Sequence, residues 1–191
     1  MAKLIYAANV SLDGYIEDER GNLEWSISDD EVFAFWNDFQ QPIGTCLYGR
    51  RMYESMVYWE TANIKTNPSI GDQLEVMRNF AQIWRAAEKI VYSRTLQTLS
   101  SARTRIEREF NPNVIRRLKE SSGADITIGG PELAGQAMSA GLIDECHLLL
   151  NPIVLGGGKR ALPDNLHIRF ELLGERRFQC GVVQLHYRVI V

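Results

Sequence analysis

The run ITIGGPELAG, Ile126 to Gly135, sets two structural signals back to back. Ile126, Thr127 and Ile128 favour a strand, Gly129-Gly130 end it, and Pro131 suits the first position of a helix, where its missing N–H would be unpaired anyway. The run therefore reads as a strand that turns into a helix across two glycines. Such a pair serves either a tight turn or the close approach of a ligand to bare main chain, and the run alone leaves both readings open.

The same order recurs on either side of it. Lys3 to Leu12 is apolar on both parities, Leu4, Tyr6, Ala8 and Val10 against Ile5 and Ala7, which is the pattern of a central strand covered on both faces. Asp13-Gly14 makes a turn after it, and Tyr15-Ile16 continue briefly before a polar loop. Ser28 and Glu31 have capping-box spacing ahead of a helix whose apolar side is Val32, Phe33, Phe35, Trp36 and Phe39, ended by Pro42. Thr45 to Gly49 is a strand leading straight into a helix with Met52, Tyr53, Met56 and Trp59. A polar surface loop spans Thr61 to Asp72. Leu74, Met77, Phe80, Ala81, Trp84 and Ala87 trace the next helix face, and KIVYS after it is a strand.

Asn111-Pro112 opens a helix with Ile115 and Leu118 inward and Gly123 at its C-terminal cap. Pro131 to Ala140 is a helix stopped by Gly141, and Glu145 to Leu150 is a strand. NPIVLGGGKRALPDN is loop-like, and the tail forms two long strands joined at Cys180-Gly181. The expected fold class is α/β: one domain, residues 1–191, with a mixed, mainly parallel central sheet between helical layers and a C-terminal antiparallel hairpin.

A chain of 191 residues that is 45% hydrophobic buries a sizeable core without disulfides or metal. A formal net charge of -3 gives no global attraction to nucleic acid or to anionic membrane. Cys46, Cys146 and Cys180 form no CxxC pair and read as thiols in a reducing compartment. The N-terminus does not read as a signal peptide and no apolar run reaches membrane-spanning length, so the expected location is the cytoplasm. His147, His167 and His186 stand singly in the sequence, and no metal is expected.

Three strand-to-turn junctions share a chemistry: Gly49-Arg50-Arg51, Ser93-Arg94-Thr95 and Gly129-Gly130-Pro131. In an open α/β sheet, ligands bind beyond the carboxyl ends of parallel strands. The three junctions should gather on one edge, where arginine, serine and bare glycine suit a phosphate. The GxGxxG, P-loop and GxSxG motifs are all missing, since Pro131 occupies the second glycine position of GGPELAG and Arg160 the Ser/Thr position after Gly158-Lys159. Lys159 either meets an anionic substrate or lies in a plain solvent loop.

The order of LIYAANVSLDGYI, TCLYGRRMYES, KIVYSRT, ITIGGPELAGQAM and GLIDECHLLLNPIVLGGGKRAL resembles the dihydrofolate reductase superfamily over nearly the whole chain. The branch it is most similar to holds stand-alone relatives of the reductase domain of the bifunctional riboflavin-biosynthesis deaminase-reductase. The deaminase signature, HxE with PCxxC, is absent. The resemblance implies a dihydrofolate reductase-like three-layer fold, a homodimer, and an NADPH-dependent oxidoreductase similar to 5-amino-6-(5-phosphoribosylamino)uracil reductase, with a pterin- or pyrimidine-like substrate.

Carried over by motif, Gly49, Arg50 and Arg51 would meet the cofactor phosphates, and Ser93 and Arg94 the adenosine 2′-phosphate. Gly129 and Gly130, in a turn often joined by a cis peptide, would touch the pyrophosphate beside the helix start at Pro131, Glu132 and Leu133. Ala8, Asn9 and Ile16 would wall the nicotinamide. Trp25 and Asp30 match the tryptophan and substrate-holding carboxylate of dihydrofolate reductases, making Asp30 the candidate catalytic acid, although an acid in a first helical turn also complements the helix dipole without catalysis. Exposed Tyr58 or Trp59 would support the dimer. The rival from another class is a non-catalytic module that binds a nucleotide or phosphorylated metabolite.

Overall fold

Leu4 and Tyr6 belong to one apolar cluster with Ile115, Ile126, Ile128, Leu133 and Met138, while Ile5 belongs to another with Cys46, Tyr48, Phe80 and Trp84. The first strand therefore feeds two cores, one on each face, and that two-sided burial places it in the middle of the sheet. The computed structural model describes residues 1–27, 29–62 and 71–190, with backbone alone for 71–74. Its elements are β1 Leu4–Ser11, β2 Tyr15–Glu17, α1 Asp30–Gln40, β3 Ile43–Gly49, α2 Arg50–Met56, α3 Tyr58–Thr61, α4 Gly71–Ala86 and β4 Glu88–Tyr92. There follow β5 Thr104–Glu107, α5 Pro112–Ser121, β6 Asp125–Gly129, α6 Pro131–Ser139, β7 Glu145–Asn151, β8 Lys159–Arg160, β9 Arg169–Arg177 and β10 Val183–Ile190.

The main sheet runs β5-β4-β3-β6-β1-β7-β10-β9. Neighbours from β5 through β7 are parallel, and the β7–β10 and β10–β9 pairs are antiparallel. Helices α5 and α6 cover one face and α1, α2 and α4 the other, so the sheet is mixed, mainly parallel and three-layered as its pattern predicts. Helix α4 is closed by a lysine: Lys89 Nζ donates to the carbonyls of Trp84 at 3.0 Å and Ala87 at 2.9 Å, bonding chain ends that a helix leaves unpaired.

Several local expectations change. Asp29 caps α1, its side chain accepting from Val32 N, and the expected Ser28 cap lies outside the described residues, as does most of the polar loop before α4. Gly123 is not the cap of α5; Ser122 is, in extended geometry with its N–H bonded to Leu118 O, so no left-handed residue is needed there. Strand β5 escapes sequence reading because TRIE offers one aliphatic side chain in four. The segment 151–165 is not all loop, since β8 pairs antiparallel with β2. Trp59 is not an exposed aromatic: it packs edge-on against Phe33 and Phe80 at 6.1 and 4.9 Å, whereas Tyr58 is 55% exposed. Nor do all three histidines stand singly, because the β7–β10 register sets His147 opposite His186.

The turn after β1 is pinned by Asp13. Its carboxylate accepts from the Ser11 hydroxyl at 2.6 Å and from Leu155 N and Gly156 N at 3.1 and 2.7 Å, tying the β1–β2 turn to the approach to β8. The Ser11 hydroxyl first, and the two amides with it, lower the Asp13 pKa from 3.8 to about 2. With its folded pKa below the unfolded one, the group stabilises fully above the unfolded value, and that contribution is lost as pH falls from 3.8 towards about 2. Urea midpoints should therefore fall more steeply in the wild type than in Asp13→Asn over that range; parallel profiles would contradict the pinning.

Candidate functional site

Register gathers the three junctions. Gly49 pairs with Tyr92 and Tyr48 with Gly129, so the chain leaves β3, β4 and β6 at the same level of the sheet. Beyond those ends lies a cleft of about 840 Å³, within the usual range for a small-molecule site. Arg50, Arg94 and Gly130 all line it, as do Gly49, Arg51 and Ser93.

The two glycines of the opening run have different reasons. At Gly129 a Cβ would lie 3.0 Å from both Met52 Cγ and Tyr48 Cδ1, so a side chain there would have to push both neighbours aside under α2, and Gly129 itself does not line the cleft. Gly130 has φ +96 and caps α6 without any side-chain hydrogen bond, and it lines the cleft together with Pro131, Glu132 and Leu133 at the helix start. The expected cis peptide is not found, every described peptide being trans.

Around Ser93 the chain forms a braced corner. Ser93 Oγ accepts from Leu96 N at 2.9 Å, and Arg108, which sequence reading passed over in the alternating charges of TRIEREF, donates to the carbonyls of Ser93 and Leu96 at 2.9 and 2.7 Å. Arg94 projects from this corner, exposed and without a hydrogen-bond or ion-pair partner among the described residues. Beside it Tyr92 and Phe110 pack with ring centroids 5.9 Å apart, and both line the cleft, giving an apolar wall suited to a flat base. Burial first, and the charge of Glu107 next, push the Tyr92 phenol up to about 12, so it remains neutral.

Arg51 departs from expectation. Its guanidinium holds both oxygens of Glu17, at 3.1 and 2.8 Å, so its fork is already committed within the protein. Arg50 has only a 3.9 Å approach to Glu54 and is half exposed. Glu17, missed in the sequence as one acid of the run EDER, is buried and shared: Lys159 Nζ stands 3.6 Å from it and 2.7 Å from Glu132. The hydrogen bond from Lys159 holds the Glu132 carboxyl below its usual range. Lys159 is thus a member of β8 on the cleft wall rather than a loop tip.

At the inner end, Ala8, Asn9, Ile16 and Trp25 line the cleft. Trp25 Nε1 donates to Asn22 O at 3.1 Å, which orients the indole within the 18–26 loop. Asn9 Oδ1 is buried there with no hydrogen-bond partner among the described residues, an unmet acceptor that carries a free-energy cost unless a ligand N–H reaches it. Asp30 does not line the cleft: it is exposed in the first turn of α1, the position where an acid complements the helix dipole.

The chain is 30% identical over 190 residues to YyaP of Bacillus subtilis (strain 168), covering 97% of this chain and 94% of YyaP. Its fold resembles that of a Shewanella sp. PV-4 protein named for riboflavin biosynthesis, with a TM-score of 0.76 at 19% identity and all of both chains covered. It also resembles RibD of Acinetobacter baumannii, with a TM-score of 0.72 at 16% identity, all of this chain aligning with 58% of that one. The model of the RibD C-terminal domain matches residues 2–184, and the chain belongs to that family.

Proposed function

We propose that this protein is an NADPH-dependent reductase that delivers hydride to a C=N or C=O group of a small pyrimidine- or pterin-like heterocycle. Membership of the RibD C-terminal family, with a Thermotoga maritima neighbour named in part as a 5-amino-6-(5-phosphoribosylamino)uracil reductase, supports the reaction class. The observation that carries the cofactor assignment is Arg94, a guanidinium without a protein partner beside a base-sized aromatic wall, at one end of a cleft whose other end holds an unmet buried acceptor.

The residues present fit a phosphorylated dinucleotide. Arg94 and the Ser93 corner would hold the 2′-phosphate, since arginine tolerates an added phosphate where an acidic residue would repel it. The Gly130 turn with the start of α6, together with Arg50, would meet the pyrophosphate. Asn9 Oδ1 would accept an N–H from the carboxamide. When bound, NADPH supplies the hydride. The chain's own task is orientation, which is worth roughly 7–11 kcal/mol of barrier when both reactants are held face to face. Arg51, Glu17 and Lys159 keep β2 and β8 in place as the wall beside that position. Asp30, outside the cleft, is not assigned proton transfer.

The test is a titration of purified protein with NADPH and NADH, followed by nicotinamide absorbance with dihydrofolate, pteridines and the riboflavin precursor. Expected are a preference for NADPH and loss of absorbance with at least one heterocycle. Tight NADPH binding with no turnover across the panel would favour a non-catalytic nucleotide-binding module; no NADPH binding would overturn the reductase reading.

A further inference from the structure

Outside the cleft, the ladder between β7 and β10 carries a second group of coordinating side chains. His147 and His186 are register partners on adjacent strands, and Glu145 precedes His147 by two residues and so points to the same face. One donor atom from each of the three lies within 4.8 Å of the other two. The imidazoles are stacked with centroids 3.9 Å apart, and His186 Nε2 is 3.0 Å from Glu145 Oε2. None of the three lines the cleft, and the proposed reduction uses none of them.

We propose that Glu145, His147 and His186 bind one divalent transition-metal ion of the zinc class. Two imidazoles and a carboxylate are a borderline-soft donor set preferred by zinc, cobalt and nickel over magnesium or calcium. With metal–ligand distances near 2.0–2.2 Å, tetrahedral donors stand about 3.3 Å apart, so the His186–Glu145 edge is already at coordination distance and His147 closes by side-chain rotation. The surroundings suit the ligands. Glu145 is buried and gives its other oxygen, Oε1, to Lys3 at 2.7 Å, leaving Oε2 for the ion. The buried Gln184 amide nitrogen, Nε2, lies 3.1 Å from His147 Nδ1; turning that amide by 180° would set its oxygen there instead, to accept Nδ1–H and free the His147 Nε2 as the ligand. Phe39 packs on His147 at 4.9 Å and closes one side of the site. A water would complete the fourth position. All three ligands sit on hydrogen-bonded strands, so the ion would clamp β7 to β10 beside the register shift at His186/Tyr187.

Chelator-treated full-length protein should be titrated with Zn²⁺ by calorimetry and with Co²⁺ by visible absorption. A Cys180→Ser background removes the more accessible thiol as a competitor. The expected result is one ion per chain, a cobalt spectrum without thiolate charge transfer, and thermal unfolding that moves upward with Zn²⁺. His186→Asn and Glu145→Gln should each weaken Zn²⁺ at least about tenfold, and Gln184→Leu roughly tenfold through the tautomer. Exposed His167→Ala should leave it unchanged. Cooperative unfolding of the variants in chelator would show that they remain folded. Substoichiometric Zn²⁺, or an affinity indifferent to both His186→Asn and Glu145→Gln, would overturn the site and reduce the cluster to a hydrogen-bonded Glu–His pair.

Discussion

Arg94→Ala is expected to weaken NADPH binding by about 1 to 3 kcal/mol, roughly five- to 150-fold, while NADH binding changes by less than about twofold. The asymmetry follows from position. Arg94 has no hydrogen bond or ion pair among the described residues, and the corner it springs from is braced by Ser93 and Arg108 without it. Its removal should therefore cost only what it gives to the ligand. Because the side chain is exposed, the difference should shrink as ionic strength rises. Arg94→Lys should fall between, retaining the charge but not the two-pronged geometry. Paired fluorescence titrations with the two cofactors measure the effect, and equal losses for both would take Arg94 away from the 2′-phosphate.

Gly158→Ala should have the largest effect on the fold around the cleft. Gly158 has φ +124, and a Cβ there would overlap the carbonyl oxygen of Glu17 and lie 2.8 Å from the carbonyl carbon of Asp18. Both contacts are backbone, so no side-chain rotation relieves them. Conformational strain and overlap together are expected to cost about 3 kcal/mol or more, lowering Tm by roughly 6–12 °C for a chain of this size. Strand β8 is two residues long, so the chain can instead relieve the overlap by releasing it, which caps the global loss at the free energy of undocking. In that case hydrogen exchange at Lys159 and Arg160 should accelerate and the Lys159–Glu132 pair should be lost. An unchanged Tm with unchanged exchange would mean that β2 and β8 are not held as described.

How much of this could be read in one dimension depends on the range of the interaction that decides it. β1 was legible because two-faced burial writes apolar residues on both parities, and the helix after Gly130 because Pro131 and Gly141 bracket it. The gathering of Gly49, Arg94 and Gly130 follows from the rule for parallel strand ends once those strands are recognised. Glu17 was not legible: its importance comes from Arg51 and Lys159, 34 and 142 positions away, and nothing local separates it from the acids beside it. The reason for Gly129 was also hidden, since Tyr48 and Met52 meet it only after β3 and β6 pair. The His147–His186 pair depends on a hairpin register that residue spacing does not encode. Asp30 is the opposite case: its place in the motif order suggests a catalytic acid, whereas its exposed position in the first turn of α1 is decided by helix geometry and leaves it outside the cleft lining.

β1 also constrains the order of assembly. Its two neighbours arrive late, Leu4 pairing with Ile126 and Ile5 with Glu145. A ribosome must therefore extend the chain through β6 and β7 before β1 gains both flanks, and a nascent fragment stopped short of β6 would carry that apolar ribbon unsheathed, a natural client for chaperones.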